Sequence, residues 1–179
     1  MVAVRIPAER VAVLIGASGE IKKLIEERGK VKLTTDRDGA IEITGKDPVL
    51  EWKVKDVVKA IGRGFSPQKA LRLFSDEYYL KIIDLKQMLG SENEIIRQKG
   101  RVIGKDGRAR EILEELTEAD ICVYGNTISI IGKLEEITIA EAAVLKILGG
   151  ASHSRTYTFL ERERKRMKEE SKLLWEEKK

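Results

Sequence analysis

The chain is poor in the residues on which much protein chemistry depends: its 179 residues include one cysteine, one histidine, three prolines and 5% aromatics. A lone cysteine, Cys122, has no intrachain disulfide partner, and in the run Ile121-Cys122-Val123 it reads as a small buried strand residue. The one histidine, His153, lacks companions at metal-ligand spacing, which points to a structural or surface role and leaves a serine or cysteine nucleophile without a placed base. With few aromatics, the core must rest on Ile, Leu and Val. No apolar run approaches the roughly 20 residues that span a bilayer, and the opening residues lack the charged and apolar regions of a secretory signal. A cytoplasmic location away from membranes is the expectation. Neither the nucleotide-hydrolysing pattern Gly-x-x-x-x-Gly-Lys-Ser/Thr nor the dinucleotide pattern Gly-x-Gly-x-x-Gly occurs. Carboxylates such as Asp36, Asp38 and Asp106 are scattered, so no metal, no cofactor and no enzymatic activity are expected.

What the chain does have is a repeat. Leu14-Ile15-Gly16-Ala17-Ser18-Gly19 returns as Val102-Ile103-Gly104-Lys105-Asp106-Gly107. Two glycines three apart are cheap, since 15 glycines in this length produce that spacing by chance roughly once. The surroundings repeat as well, and that carries the weight. Leu24-Ile25 corresponds to Ile112-Leu113, and Ile41-Glu42-Ile43-Thr44-Gly45 to Ile128-Ser129-Ile130-Ile131-Gly132. A repeat of this length divides the chain into two small modules, 1–75 and 76–150, followed by a charged segment, 151–179. Modules with such thin cores are expected to pack on each other, and no Pro/Gly/Ser-rich tract separates them.

Hydrophobic periodicity gives each module the order strand, helix, helix, strand, strand, helix. In the first, a strand ends at Pro7, a short helix covers 8–15, and a second helix follows Gly19 with Ile21, Leu24 and Ile25 on one face. Strands at 30–35 and 39–44 meet through Asp38-Gly39, a hairpin signal. A helix over 48–61 places Trp52, Val54, Val57, Val58 and Ile61 largely on its apolar face. Ser66 and Pro67 open a short connecting helix. The second module runs from a strand at 79–85 through a longer segment, capped at Ser91 or Asn93, to its glycine turn. Strands at 120–124 and 127–131 then join through Gly125-Asn126, and a helix over 134–148 buries Ile137, Ala140, Val144, Leu145 and Leu148. From Tyr157 the pattern becomes a Glu/Arg/Lys-rich helix, either a solvated extension or a surface for RNA or a protein.

A glycine turn before a helix lets backbone approach a sugar-phosphate chain while helix amides face the negative charge. Net charge is only +4, but between Arg97 and Arg110 six basic residues face one acid. Candidate RNA contacts in the second module are therefore Gly104, Lys105, Asp106, Gly107 and Arg108, with Arg101 at the edge. Ile103 and Ile112, together with Ala109 and the 120–124 strand, supply an apolar floor for about four unpaired bases. In the first module the corresponding residues are Gly16, Ala17, Ser18 and Gly19, with Lys22 and Lys23 nearby. That loop is chemically weaker, being uncharged and followed by Glu20, so both RNA contact and a packing or protein-binding role stay open.

The Ile-Gly-x-x-Gly turns and the repeated order resemble type I KH domains in tandem. With Ala60-Ile61-Gly62-Arg63-Gly64-Phe65-Ser66-Pro67 and Lys69-Ala70 between the modules, and Gly104-Lys105-Asp106-Gly107-Arg108 in the second, the chain is similar to the archaeal branch of a ribosome-assembly family whose eukaryotic members partner the Nob endonuclease. The resemblance implies an α+β fold of two three-stranded antiparallel sheets covered by helices, packed together and followed by a C-terminal helical extension. It also implies binding of single-stranded RNA, specifically small-subunit ribosomal RNA near its 3′ end during maturation. The partners it implies are the alpha subunit of translation initiation factor two and a Nob-type endonuclease. A protein-binding module with relic loops, and a single-stranded DNA binder, are the alternatives.

Overall fold

The computed structural model describes residues 1–177. Contacts group the chain into two compact units, Met1–Ile83 with Cys122–Ile131, and Asp84–Ile121 with Gly132 onward. In the first unit, β1 (Val2–Arg5), α1 (Ala8–Ile15), α2 (Glu20–Gly29), β2 (Val31–Thr35), β3 (Ala40–Gly45) and α3 (Pro48–Gly62) follow the order read from the sequence. The strands pair antiparallel in the order β1-β3-β2, with Val4 opposite Ile41 and Leu33 opposite Ile43. Alternation places Val31, Leu33, Ile41 and Ile43 on one face, where they meet Val11 and Leu14 of α1, Ile25 of α2, and Val54, Val57, Val58 and Ile61 of α3. Gly39, at φ 87, closes the hairpin turn as its amide donates to Asp36. Asp47 caps α3 by accepting from the Val49 amide.

The connector is ordered as the Ser66-Pro67 pair predicts: Ser66 Oγ accepts from the Lys69 amide, α4 (Pro67–Ala70) follows, and a 3-10 turn covers Leu71–Phe74. A second three-stranded antiparallel sheet joins β4 (Tyr79–Asp84), β6 (Thr127–Gly132) and β5 (Asp120–Tyr124), in that order across the sheet. Ile131 is fully buried in the first unit's core, with Leu80, Tyr78 and Cys122 packed against it, which is why contacts gather residues 79–83 and 122–131 there. Cys122 is half-buried.

The second unit contains α5 (Leu85–Met88), α6 (Glu92–Ile103), α7 (Arg108–Thr117), α8 (Leu134–Leu148) and α9 (His153–Glu176). Ser91, one of the two residues read as a cap, starts α6 by accepting from the Glu94 amide. Ile137, Ala140, Val144 and Leu148 of α8 are buried as their spacing predicts. Two inward assignments fail: Trp52 is 60% exposed and Leu145 39% exposed, both at the margin of an apolar stripe narrower than periodicity suggests. The C-terminal helix also begins four residues before Tyr157, because Ser152 caps it through the Arg155 amide.

The long helices α3 and α8 end alike. Gly64 and Gly150 take φ 101 and 97, their amides donate to Ile61 and Ile147, and the amides of Phe65 and Ala151 donate to Ala60 and Lys146.

Candidate nucleic-acid interface

The second glycine loop forms where α6 stops at Ile103. Gly104 caps the helix at φ 73 and ψ 177, a region that only glycine occupies readily. A Cβ at Gly104 would lie 2.5 Å from the Ala109 methyl and 2.8 Å from the Ala109 amide nitrogen, so this glycine lets the loop press onto the first turn of α7. Asp106 and Gly107 both lie in the left-handed region, at φ 54 and 76, and together they turn the chain into Arg108. A Cβ at Gly107 would meet nothing within 4 Å. The two glycines thus do different work: Gly104 is packed, whereas Gly107 leaves an open side beside the α7 amides, whose first members have no acceptor within the helix.

The first loop has the same backbone. Gly16 stands at φ 75 and ψ 176, Ser18 at φ 53 and Gly19 at φ 79; a Cβ on Gly16 would lie 2.5 Å from Ile21 Cγ1, and one on Gly19 would meet nothing. Side chains separate the loops. Lys105 and Arg108 are exposed where the first loop has Ala17 and, after its second glycine, Glu20; Lys22 is half-buried and Lys23 exposed. Asp106 is exposed opposite Ser18 of the first loop. Arg108 Nη1 lies 3.5 Å from Glu111 Oε2, but both side chains are more than half exposed, and a pair of that kind holds its members weakly.

Arg101 has a task that charge counting does not show. Its guanidinium donates to the carbonyls of Ile147 at 2.5 Å and Ala151 at 2.6 Å, so these donors brace the end of α8 instead of facing a phosphate at the loop edge. The carbonyl of Arg101 accepts in turn from His153 Nε2 at 2.7 Å, which ties the start of α9 to the last turn of α6. The first unit has an equivalent brace: Arg10 donates to the carbonyls of Ile61 and Phe65, both at 2.8 Å. Replacing Arg101 by methionine should lower stability by about 2–3 kcal/mol in urea denaturation, because two partly buried carbonyls lose charged donors. The exposed Arg97→Met should stay within about 0.5 kcal/mol.

Ile103 and Ile112 are half-buried and flank the loop on α6 and α7, whereas Ala109 is 5% exposed beneath Gly104 and offers no surface to a base. Sequence reasoning passed over Tyr157. It lies one turn after His153, their ring centroids 6.1 Å apart and tilted by 49°. Burial raises the Tyr157 hydroxyl above its ordinary pKa, and the charge of Arg108 opposes that rise. No short-range sequence signal joins residue 157 to a loop at 104–107. Among the described residues, no group of three His, Cys, Asp or Glu side chains could hold a metal ion, and no helix is long and apolar enough to cross a membrane.

Comparison with known proteins matches residues 79–165 to the model of the eukaryotic type KH domain, KH type I. A KH domain-containing protein of Methanocaldococcus jannaschii is 51% identical over 97% of this chain and 78% of its own length. The pre-rRNA-processing protein pno1 of Emericella nidulans is 31% identical over 83% of the chain, which spans 55% of that longer protein. Among solved structures, the a/eIF2alpha–aDim2p–rRNA complex from Pyrococcus horikoshii contains a chain with 44% identity and a TM-score of 0.86, covering 92% of this chain and 93% of that one.

Proposed function

We infer what this chain does from one premise: it belongs to the Pno1/Dim2 family of tandem KH-domain proteins. As such it is a binding protein and not an enzyme, and its ligand is single-stranded RNA, ribosomal RNA in particular. The contact we assign to the second loop: a phosphate against the open side of Gly107 and the α7 amides, Lys105 and Arg108 reaching the neighbouring phosphates, and bases over Ile103 and Ile112. Arg101 holds the frame of this site. The observation that carries the reading is the pairing of a loop backbone shaped for close approach with two exposed cations on its rim.

The finer assignment is the 3′ end of small-subunit ribosomal RNA during its maturation in the cytoplasm, with the alpha subunit of initiation factor two and a Nob-type endonuclease as protein partners. The named complex of the Pyrococcus relative supports ribosomal RNA as ligand and the initiation factor subunit as partner, and the pno1 relative supports the processing role. Titrating the protein with a 3′-end ribosomal RNA fragment, and with DNA of the same sequence, tests the reading. RNA should bind more tightly than DNA, and affinity should fall steadily with salt as displaced counterions lose their advantage. Equal binding of both strands would identify a DNA-capable KH protein. No binding of either, with capture of the initiation factor subunit retained, would leave a protein-binding module with idle loops.

A further inference from the structure

The start of α9 stands beside the second loop, although it lies outside the strand-helix-helix-strand-strand-helix unit. It is locked there at both ends of a short circuit: the Arg101 guanidinium holds the carbonyls of Ile147 and Ala151, and the Arg101 carbonyl holds His153. His153 is therefore tied to the last turn of α6, three residues before Gly104, and the Tyr157 ring lies 6.1 Å from its ring. Both residues are half-buried, so neither is closed off from solvent. Among the described residues the Tyr157 hydroxyl makes no hydrogen bond, and the nearby positive charge is Arg108, the first residue after the loop. The chain has nine Phe, Trp and Tyr residues, and several are committed elsewhere. Phe65 is buried, Phe74 and Tyr78 pack on the first core, Tyr124 donates to Glu9, and Phe159 lies under the Lys146 ammonium at 4.7 Å.

We propose that Tyr157, backed by His153, is a stacking shelf for one unpaired RNA base, adding a nucleotide position to the strand held at the Gly104–Gly107 loop. The occupant follows from continuity and charge. A strand with its phosphate at Gly107 and Arg108 continues past Arg108, whose charge reaches the Tyr157 hydroxyl. Aromatic faces accept any base by stacking, while exposed Lys105, Arg108 and Arg155 supply the positive field for the backbone that carries it. The proposal rests on the RNA-binding reading of the second loop and adds to it a residue outside the KH fold.

The test uses the full chain and oligouridylates of four and eight nucleotides, with 2-aminopurine placed in turn along the longer one. Tyr157→Leu keeps an apolar side chain and removes the aromatic face; Tyr157→Phe keeps the face and removes the hydroxyl. Tyr157→Leu should weaken the eight-nucleotide ligand about tenfold and leave the four-nucleotide ligand within about twofold, whereas Tyr157→Phe should bind both as the parent does. Quenching of 2-aminopurine at one position should occur in the parent and in Tyr157→Phe and vanish in Tyr157→Leu. Equal affinity of Tyr157→Leu and parent for the longer ligand, or an equal loss on both lengths, overturns the shelf while leaving the loop reading intact. Failure of the parent to bind either oligomer at low salt overturns both. Thermal unfolding of each variant separates lost stacking from lost structure, since a structural defect would weaken both lengths together.

Discussion

Reversing Lys105 and Arg108 together to aspartate should weaken binding of the 3′-end RNA fragment by about 100-fold, with the circular dichroism spectrum unchanged. Both side chains are exposed and neither supports the core, so the fold has little to lose. The Arg108–Glu111 contact is the competing claim on the arginine, and its exposure makes it a weak one. Salt dependence gives a second readout. If each residue meets one phosphate, the slope of log affinity against log salt should become shallower by about 2 in the double variant. Ala17→Asp with Ser18→Asp, in a loop of the same backbone but without cations, should cost less. Unchanged binding by the Lys105/Arg108 variant would remove the second loop from the interface, and a larger loss in the Ala17/Ser18 variant would transfer the role to the first.

Gly104 and Gly107 should respond in opposite ways to the same added methyl. Gly104→Ala forces a Cβ to within 2.5 Å of the Ala109 methyl at a backbone conformation alien to alanine, so stability should fall by about 3 kcal/mol. Gly107→Ala puts the methyl in open space at φ 76, where the left-handed conformation costs about 1–2 kcal/mol. That protein should fold, yet bind RNA at least tenfold more weakly, because the methyl occupies the side from which a phosphate would approach. Urea denaturation and RNA titration of both variants check this. A Gly107→Ala protein with parental affinity would mean that the open side faces nothing.

How far the sequence could be read follows from the range of the interactions involved. Ser66-Pro67, Ser91 and Asp38-Gly39 fix their turns through neighbours a few residues away, and their structures agree with local chemistry. The repeated alternation of Val31-Lys32-Leu33 and Ile41-Glu42-Ile43 likewise suffices to orient a sheet. Trp52 and Leu145 show the limit: period locates a helical stripe, but its width depends on what lies opposite. Arg101 shows a deeper one. Its acceptors are 46 and 50 residues away in the chain, so a count of charges around the loop includes a guanidinium already engaged with carbonyls. Tyr157 escaped notice for the same reason, its place beside the loop depending on the α8–α9 turn and on His153.

The paired arginine braces bear on how the two modules differ. By alignment on the glycine loops, Arg10 corresponds to Gln98, and Arg101 lies one helical turn further along, yet each arginine reaches the same two carbonyls at the end of its module's long helix. Gln98 is still present and buried, its side-chain oxygen 3.4 Å from Arg101 Nη1. The two halves therefore differ in which residue supplies the cation and agree in where it arrives. The likeness of the halves resides here in a pair of acceptors, and a residue-by-residue alignment of the halves would score this shared device as a mismatch.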